Sequence, residues 1–438
     1  MKLFQRTASG TDVDWRAMEC WGAGISLFLQ TGALFPLLLA DADGALSDPA
    51  KAKLRLLCLP AYAFASLVLI RNSRQFVIAI RRNLLLPVLL ALPFLSVLWS
   101  VGPSTTLRRA IGLLFTVLFA YALAMRFTPR QLLLIVFATL GACVVLSVMM
   151  LAISPGLARM PGDGAMRGIF LNKNSLGWYA CLMLLVATIV FMDRSLGFRR
   201  SACVLLVAGI ICLAGSGSMT AMIATGSAYF LIAFYVILQR SSGISRVVII
   251  LISVQSSVGV LILLHEFLVP LLEALGKDAT LTGRVPLWEL VDHQIADRLL
   301  LGYGYQSFWI EANPSAWAIW SEIRWQAPHA HNGFRDTMLS FGICGTALFI
   351  ALLVRAMHQG AVLHCRDPYF GWLWMNVFTG VMLVMNLTES LFLIQNDAIF
   401  ILFTTGAIMF SLYAPAVSTS SNLQRPAPMR GPTPELQI

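Results

Sequence analysis

The stretch Q131-L-L-L-I-V-F-A-T-L-G-A-C-V-V-L-S-V-M-M-L-A-I153 contains 23 consecutive residues without a charged side chain. A helix needs about 20 such residues to cross roughly 30 Å of hydrocarbon. Comparable apolar runs recur along the 438-residue chain, which is 58% hydrophobic and only 12% charged, with a mean hydropathy of +0.78. An ordinary soluble domain is about 25% charged. The sequence therefore predicts an all-α, polytopic helical membrane protein. The alternating segments of about ten residues that a membrane β-barrel needs are absent.

Twelve apolar segments predict about 12 transmembrane helices. They lie at 18–40, 54–70, 83–99, 108–125, 131–153, 175–192, 201–215, 219–238, 247–268, 336–354, 370–388 and 397–414. Arginine-rich short connections at 70–82 and 192–200 then lie on the inner side, as the positive-inside rule requires. This topology gives a cytoplasmic N-terminal segment, a transmembrane domain, a large periplasmic loop and a disordered cytoplasmic tail rich in Pro and Ser. Their bounds are 1–17, 18–414, 269–335 and 415–438.

The formal net charge of +10 indicates topology and anionic lipid headgroups rather than nucleic acid. In the predicted topology, 18 of the 31 basic residues are inner and 13 are outer. Eight of the outer ones lie in two loops, 154–174 and 269–335. Positive charge that topology does not require favours a functional role, although long loops also cross the membrane regardless of charge. The eight cysteines lie in or beside apolar runs, without the spacing of a disulfide framework or a zinc site.

The first polar cluster is M166-R-G-I-F-L-N-K-N-S-L-G177, at the start of the sixth span. Asn174 or Ser175 is expected to cap that helix, because a short polar side chain accepts hydrogen bonds from the first turn. Arg167 and Lys173 add positive charge to a helix N-terminus, which suits an anion such as phosphate. The alternative is a capped, solvated helix end.

The loop 269–335 has 67 residues, and loops of that length tend to carry function. Thr282 and Pro286 mark a helix start, and Arg284 lies at its positive N-terminal end. An apolar face at helical spacing then predicts a short amphipathic helix, whose side chains favour packing over chemistry. That face consists of Trp288, Val291, Ile295 and Leu299.

Aromatic residues are dense in G302-Y-G-Y-Q-S-F-W309 and N313-P-S-A-W-A-I-W-S-E-I-R-W325, with four tryptophans and two tyrosines in 23 residues. Such rings favour the membrane–water interface. The alternative function is a platform for an acceptor sugar, to which Tyr303, Tyr305 and Trp309 would contribute.

Two of the six histidines lie in A327-P-H-A-H-N-G-F334. Asn332 is placed to cap the next span. We expect His329 and His331 to point to opposite sides, so that only one of them faces a cavity. A metal site needs a third ligand, and none is obvious, so no metal is predicted. A histidine can also act as a general base near neutral pH.

The outer turn T388-E-S-L-F-L-I-Q-N-D397 places a carboxylate at the membrane boundary, where charge is costly and usually paired. Glu389 could pair with an outer arginine and hold it, or remain a plain interfacial carboxylate. The chain lacks a Walker A loop, GxGxxG and GxSxG, and D41-A-D43 is far in sequence from every cluster above. Together the clusters favour a membrane-borne phosphorylated substrate and no cofactor.

Four motifs occur in order: R167-G-I-F-L-N-K-N-S-L-G177, T282-G-R-V-P-L-W288, G302-Y-G-Y-Q-S-F-W309, and H329-A-H-N332 with S340-F-G-I-C-G345. This ordered set resembles the O-antigen ligase and exopolysaccharide polymerase superfamily of bacterial inner-membrane proteins. The Lys173-Asn174 pair and the aromatic run look most like ExoQ-type exopolysaccharide polymerases. In that group position 172 is commonly His, and Asn172 departs from the pattern.

The resemblance implies a metal-independent, inverting glycosyltransferase whose site faces the periplasm. Its donor would be a glycan on undecaprenyl diphosphate. Arg167 and Arg284 would bind the diphosphate, and His331 would activate the acceptor hydroxyl. Substrate contacts are expected from Asn172, Lys173, Asn174, Tyr303, Tyr305, Trp309, Asn332 and Glu389. Membrane lipids, a chain-length regulator and a flippase are the further partners implied.

Two other functions remain open at this point. An O-antigen ligase would transfer the glycan from undecaprenyl diphosphate to lipid A-core and would share the Arg and His elements. A secondary transporter is compatible with twelve spans, but paired halves and broken midplane helices, which are typical of transporters, are not evident.

Overall fold

A computed structural model describes residues 15–40, 46–253, 255 and 284–414. Regular structure in these residues is helical, which confirms the all-α prediction for this part of the chain; one isolated antiparallel bridge pairs Arg159 with Met166. The first nine helices are α1 (Trp15–Leu29), α2 (Phe35–Leu39), α3 (Asp48–Leu57), α4 (Leu59–Arg71), α5 (Ser73–Arg82), α6 (Leu85–Leu95), α7 (Pro103–Arg126), α8 (Pro129–Ile153) and α9 (Pro155–Ala158). The others are α10 (Lys173–Met192), α11 (Arg199–Ser216), α12 (Met219–Arg240), α13 (Gly243–Ser253), α14 (Arg284–Asp297), α15 (Pro314–Ile323), α16 (Gly333–Arg366), α17 (Trp372–Met385) and α18 (Ala398–Tyr413).

Seven helical segments of the described residues are long and apolar enough to cross a membrane, and each coincides with a predicted span. They are Pro49–Arg71, Pro103–Arg126, Pro129–Ile153, Lys173–Met192, Arg199–Ser216, Met219–Arg240 and Gly333–Arg366. A helix pair bent by 90°, Ser73–Arg82 with Leu85–Leu98, would make an eighth span. Shorter apolar helices α13, α17 and α18 overlap three further predictions. The total of twelve stays a prediction, and residues 256–268 of the predicted ninth span lie outside the described residues.

The predicted first span, 18–40, is not one continuous helix. Helix α1 ends at Leu29, and the short α2 begins only at Phe35. Between them Gly32 has φ 67° and Leu34 has φ 63°, in the left-handed region that ends a right-handed helix. Hydropathy alone could not show this break, because the residues on both sides of it are apolar.

The two ends of the helical bundle carry different elements. At one end Arg126 closes α7 and pairs with Glu19 at 2.8 Å between Nη2 and Oε2. At the other end, just before α7 begins, the N–H of Val101 donates to the carbonyl of Tyr303. Residues 284–332 therefore lie at the end opposite Arg126, which we call the loop end.

The core of the bundle consists of α10, α17 and α18, whose residues are buried on nearly all sides. Helices surrounded by other helices are apolar all round, as these are. Helix α10 packs against α8, α11, α12 and α17, and α18 packs against α7 and α16. A Cβ on Gly177 would lie 2.8 Å from Cβ of Ser218, so glycine allows α10 and α12 to approach closely at the loop end.

Residues 284–332 contain two short helices, α14 and α15, packed around their own apolar cluster. The predicted helix face is right at Val291 and Ile295, which are packed, but wrong at its end. Leu299 is exposed and lies beyond α14, while Leu287 is fully buried and was missed. Trp288 is half-buried and donates from Nε1 to the Ala330 carbonyl.

Helix α16 bends at Gly342, where φ is 61° and ψ is −162°. The chain before the aromatic run crosses the helix at this bend, and the N–H of Tyr303 donates to the carbonyl of Leu339 at 2.7 Å. A Cβ on Gly342 would lie 2.3 Å from the carbonyl carbon of Leu300, and one on Gly302 would lie 2.6 Å from the Leu339 oxygen. The two glycines of the G302-Y-G-Y and S340-F-G-I motifs therefore let the loop and helix interlock.

Candidate active site

Three side chains from distant parts of the sequence meet at Glu389. This carboxylate is only 2% exposed, and its Oε1 accepts from Nη2 of Arg284 at 2.7 Å. Its Oε2 lies 3.4 Å from Nδ1 of His331. The Arg284 and His331 side chains are 17% and 18% exposed, so both remain accessible from one side. The structure confirms that Glu389 pairs with an arginine of the long loop.

The turn that carries Glu389 is fastened to the start of α16. The N–H of Asn332 donates to Oγ of Ser390 at 3.1 Å, and that of Gly333 donates to the carbonyl of Asn386 at 2.9 Å. Oδ1 of Asn332 accepts from the backbone of Phe334 and Arg335, which confirms the predicted cap. Gly333 is required here, because a Cβ would lie 2.1 Å from Oδ1 of Asn386.

The two histidines lie on the same side of the chain, and the prediction that they point to opposite sides is wrong. Their ring centroids are 4.1 Å apart. Residues two apart in an extended segment share a face, so even regular geometry does not support that prediction. The backbone of His331 is itself not extended, since its φ of 50° is left-handed. Such a conformation in a residue other than glycine is uncommon and is found at functional sites more often than elsewhere.

His329 is held as a neutral acceptor. Its Nδ1 accepts from the backbone N–H of His331 at 3.2 Å, so its own proton lies on Nε2. Burial, and then repulsion from the neighbouring His331 and Arg284, lowers the pKa of His329 to about 3. This ring therefore stays uncharged at neutral pH, when a charge on it would repel Arg284.

Asp336 organises the site and was missed by sequence reasoning. Its Oδ1 accepts from Nε1 of Trp309 at 2.8 Å, and its Oδ2 accepts from the N–H of Ala330 at 2.9 Å and from the hydroxyl of Ser390. One carboxylate thus ties together the aromatic run, the histidine segment and the turn of Glu389. A signal was present, since Asp336 lies in the first turn of an apolar helix, where a carboxylate is expensive unless paired.

A cavity of about 180 Å³ adjoins this cluster. Its lining includes His329, Asp336, Tyr305, Trp309 and Arg109. The Tyr305 ring stacks on Phe341, and its hydroxyl donates to the carbonyl of Leu393. Two of the three aromatic residues predicted for a sugar platform therefore line the cavity.

Tyr303, the third aromatic residue, is not among the cavity lining. Its hydroxyl donates to the carbonyl of Gln294 at 3.0 Å, and its ring packs edge-on against Phe308. Its surroundings favour packing within the loop.

The loop before α10 makes local contacts. Oδ1 of Asn172 accepts from the N–H of Ser175 at 2.9 Å, so Asn172 caps α10 and the prediction of Asn174 or Ser175 is wrong. The helix begins at Lys173, two residues before the predicted start at 175. Asn174 is half-buried in the first turn. Nε of Arg167 donates to the carbonyl of Leu157 at 3.0 Å.

Lys173 pairs with Asp163 on the surface, and its hydrogen bond lowers the pKa of that carboxyl. Within the ranges that the structure describes, none of Arg167, Asn172, Lys173 and Asn174 contacts Glu389 or His331. The turn of Glu389 contacts the start of α12, because the hydroxyl groups of Thr220 and Thr388 are 2.9 Å apart.

The structure also provides a third metal-ligand candidate. Ligand atoms of His329, His331 and Glu389 lie within 4.8 Å of one another. The sequence argument against a metal relied on the lack of such a residue, so the ligand count no longer opposes one. Local charge does oppose a metal ion, because Arg284 already pairs with one oxygen of Glu389 and its guanidinium would repel a second cation.

These features define a multi-pass membrane protein with a buried carboxylate that contacts a histidine and an arginine, and with an aromatic cavity beside them, at one end of the bundle. Residues 202–350 match the family model described as O-Antigen ligase. The matched stretch runs from α11 into α16 and includes Arg284 and His331, whereas Arg167 and Glu389 lie outside it.

A second comparison finds "Exopolysaccharide production protein ExoQ" of Rhizobium meliloti (strain 1021), which is 29% identical over 270 residues. The match covers 60% of this chain and 61% of that protein, which is less than two thirds of its length. Together the two matches confirm the resemblance to the O-antigen ligase and exopolysaccharide polymerase superfamily, and the similarity to an ExoQ-type protein.

Proposed function

We propose that this protein is a glycosyltransferase that joins undecaprenyl-diphosphate-linked oligosaccharide repeats into exopolysaccharide. It would act at the periplasmic face of a bacterial inner membrane, with the loop end outward. The observation that carries the proposal is the Arg284–Glu389–His331 arrangement beside an aromatic cavity. It offers a base, a cation for a phosphate and ring faces for a sugar in one place.

His331 is the base in this mechanism. A neutral imidazole that donates from Nδ1 to Glu389 leaves Nε2 as an acceptor. Nε2 takes the proton of an acceptor sugar hydroxyl as its oxygen attacks the anomeric carbon of the donor. The Glu389 carboxylate stabilises the imidazolium that forms, as a carboxylate does in other His-based sites.

The leaving group is the lipid diphosphate. As the new glycosidic bond forms, the bond between the anomeric carbon and the diphosphate oxygen breaks, and the electron pair leaves with that oxygen. Attack from the opposite face inverts the configuration. Arg284 would neutralise the growing negative charge, and Arg167 would contribute once the diphosphate brings the two regions together.

A ligase is the second candidate, and the description O-Antigen ligase of the matching family model favours it. The same residues would then transfer a finished glycan to lipid A-core. The two functions differ in what accumulates when the gene is deleted. Loss of a polymerase leaves single repeats on the lipid carrier, whereas loss of a ligase leaves long polymer on the carrier, and one gel separates them.

The direct test is glycosidic bond formation by the purified protein in lipid nanodiscs supplied with a lipid-diphosphate-linked repeat. His331→Ala and Arg284→Ala should each abolish chain growth, because base and cation act on the same step. His293→Ala is the matched control, since this histidine lies exposed on α14, and it should retain full activity. Near-normal polymer from both site variants would overturn the assignment. A chelator should leave the wild-type rate unchanged, and a rate restored only by added metal would overturn metal independence.

A further inference from the structure

Five of the 13 basic residues predicted on the outer side lie outside the two long loops. They are Lys51, Lys53, Arg55, Arg108 and Arg109. Four of these five, all but Lys53, line one groove of about 750 Å³ between α3, α4 and α7, which we call the α3–α7 groove. Among the described residues that line this groove, none is acidic. Residues that are far apart in sequence thus gather positive charge in one cavity.

Two of these cations, Arg55 and Arg108, are available to a ligand. In the part of the chain that the structure describes, the side chains of Arg55 and Arg108 make no hydrogen bond or ion pair. Several cations in one cavity repel one another, and an anion between them relieves that repulsion. One arginine side chain can donate two parallel hydrogen bonds to two phosphate oxygens, which makes phosphate the favoured anion.

The groove opens toward lipid. Leu56, Leu59 and Ile111 form its apolar rim, and Leu56 and Leu59 are 63% and 51% exposed. The rim residues lie on candidate membrane spans, Pro49–Arg71 and Pro103–Arg126. Stacked rings of Tyr62 and Phe115, with centroids 4.6 Å apart, complete the lining. A phosphate headgroup whose apolar chain leaves sideways across the rim fits this shape and polarity.

The groove shares a wall with the active-site cavity. Arg109 and Gln395 line both spaces. The guanidinium of Arg109 donates to the carbonyl of Gln306, which also lines the cavity. Gln395 packs closely on α7, since a Cβ on Gly112 would lie 3.1 Å from its Cγ. A headgroup in the groove would therefore lie one side chain away from a sugar in the cavity.

We propose that the α3–α7 groove binds the diphosphate headgroup of the acceptor's carrier lipid. This inference rests on the proposed function. Joining two lipid-linked glycans involves two diphosphates, and only the donor's diphosphate leaves at Arg284. The acceptor's diphosphate remains intact, with no bond made or broken, and needs a separate cationic site that opens to the membrane. The α3–α7 groove provides such a site. A protein that uses it takes an acceptor that is linked to a lipid.

The test compares Arg55→Gln/Arg108→Gln with Lys53→Gln, a control on the same helix that removes a charge outside the groove. All are assayed in phosphatidylcholine nanodiscs with saturating donor and two acceptors: a polyprenyl-diphosphate-linked repeat and the same glycan without lipid or diphosphate. The double variant should raise KM for the lipid-linked acceptor about tenfold or more, because two charged contacts are lost. Its kcat, and its KM for the free glycan, should equal those of the wild type, and Lys53→Gln should change neither.

Three results would overturn the inference. An equal loss with both acceptors would place the donor in the groove, and no loss with either would leave the cations as membrane anchors. A loss that disappears when phosphatidylglycerol is added would assign the groove to bulk anionic lipid. If the wild type forms no glycosidic bond, the proposed function fails separately. Direct binding of the lipid-linked repeat should even then weaken in the double variant and not in Lys53→Gln.

Discussion

The turn 386–397 and the loop 159–174 look alike in sequence, but they differ in structure. The turn makes contacts with distant parts of the chain, whereas the charged side chains of the loop make local ones. Both precede an apolar helix, and both contain charged residues that the family resemblance assigns to the substrate site. At the turn, Glu389 gathers Arg284 and His331 from 105 and 58 positions away. In the loop, Arg167 and Lys173 reach only ten residues, to Leu157 and Asp163.

Burial explains what this difference means. Glu389 is 2% exposed, and a buried carboxylate is costly unless it is paired and hydrogen-bonded. The contact with Arg284 is therefore preorganised, and losing either partner leaves an uncompensated charge. The Lys173–Asp163 pair is exposed, and such pairs contribute little to stability. The contacts of the turn are therefore formed without a substrate. The loop would join them only after a substrate binds.

Among the variants that compare the two regions, Glu389→Gln should have the largest effect on kcat. Glutamine keeps the shape but removes the charge that orients Arg284 and supports the proton on His331. Since positioned acid–base groups contribute about 10²–10⁴-fold, kcat should fall by about 100-fold or more. KM for the donor should change less, because Arg284 can still reach the diphosphate. Steady-state kinetics in nanodiscs measure both constants.

Asp292→Asn is a matched control for Glu389→Gln, because Asp292 also pairs with an arginine, Arg335, but is half exposed. It should retain activity within about threefold, as expected for an exposed ion pair. A Glu389→Gln enzyme with normal kcat would show that the buried pair only holds the fold together.

Arg167→Gln should have an intermediate effect. If the diphosphate draws Arg167 toward the site, its loss removes one charge-assisted contact, and kcat/KM should fall about tenfold. Lys173→Gln should cost less than about threefold, because its side chain is already engaged by Asp163 on the surface. Initial rates at donor concentrations below KM, measured separately for each variant and the wild type, give kcat/KM directly.

Two outcomes would change the role assigned to the loop. An Arg167→Gln loss as large as that of Arg284→Gln would mean that the loop and the turn act as one site when substrate is bound. No loss in Arg167→Gln would remove the loop from the mechanism.

The sequence predicted most of the helices because the apolar runs are long and their ends are marked by caps and charge. It could not place the end of α1, where the left-handed φ of Gly32 and Leu34 breaks an otherwise apolar segment. The left-handed φ of His331 has no signal in the sequence either. Periodicity assumes regular dihedral angles, so it fails where a residue leaves them.

For the site, the motif residues were found but their network was not. Arg284, His331 and Glu389 were named as candidates, and pairing of Glu389 with an outer arginine was one stated alternative. Asp336 was missed, because its role depends on donors that come from Trp309, Ala330 and Ser390. Such convergence of loops depends on tertiary contacts, which spacing along one chain does not contain.

The smallest expected effect concerns the stability of the histidine segment in acid. Burial, together with nearby positive charge, lowers the pKa of His329 to about 3 from 6.5. The unfolded chain takes up this proton near pH 6.5, and the folded protein does so only near pH 3. The free energy of unfolding contributed by this ring is therefore complete above pH 6.5 and falls as the pH drops toward 3.

His329→Gln removes this titration but keeps a polar side chain beside His331. The difference in Tm between pH 7 and pH 4.5, measured in the same detergent, should be smaller in His329→Gln than in the wild type. His293→Gln should keep the wild-type difference, because that histidine is exposed. Asp163→Asn in the other region should also change it little, since its pair with Lys173 is solvated. If His329→Gln keeps the full pH dependence while Asp163→Asn reduces it, the loop rather than the turn would be the region assembled before substrate binds.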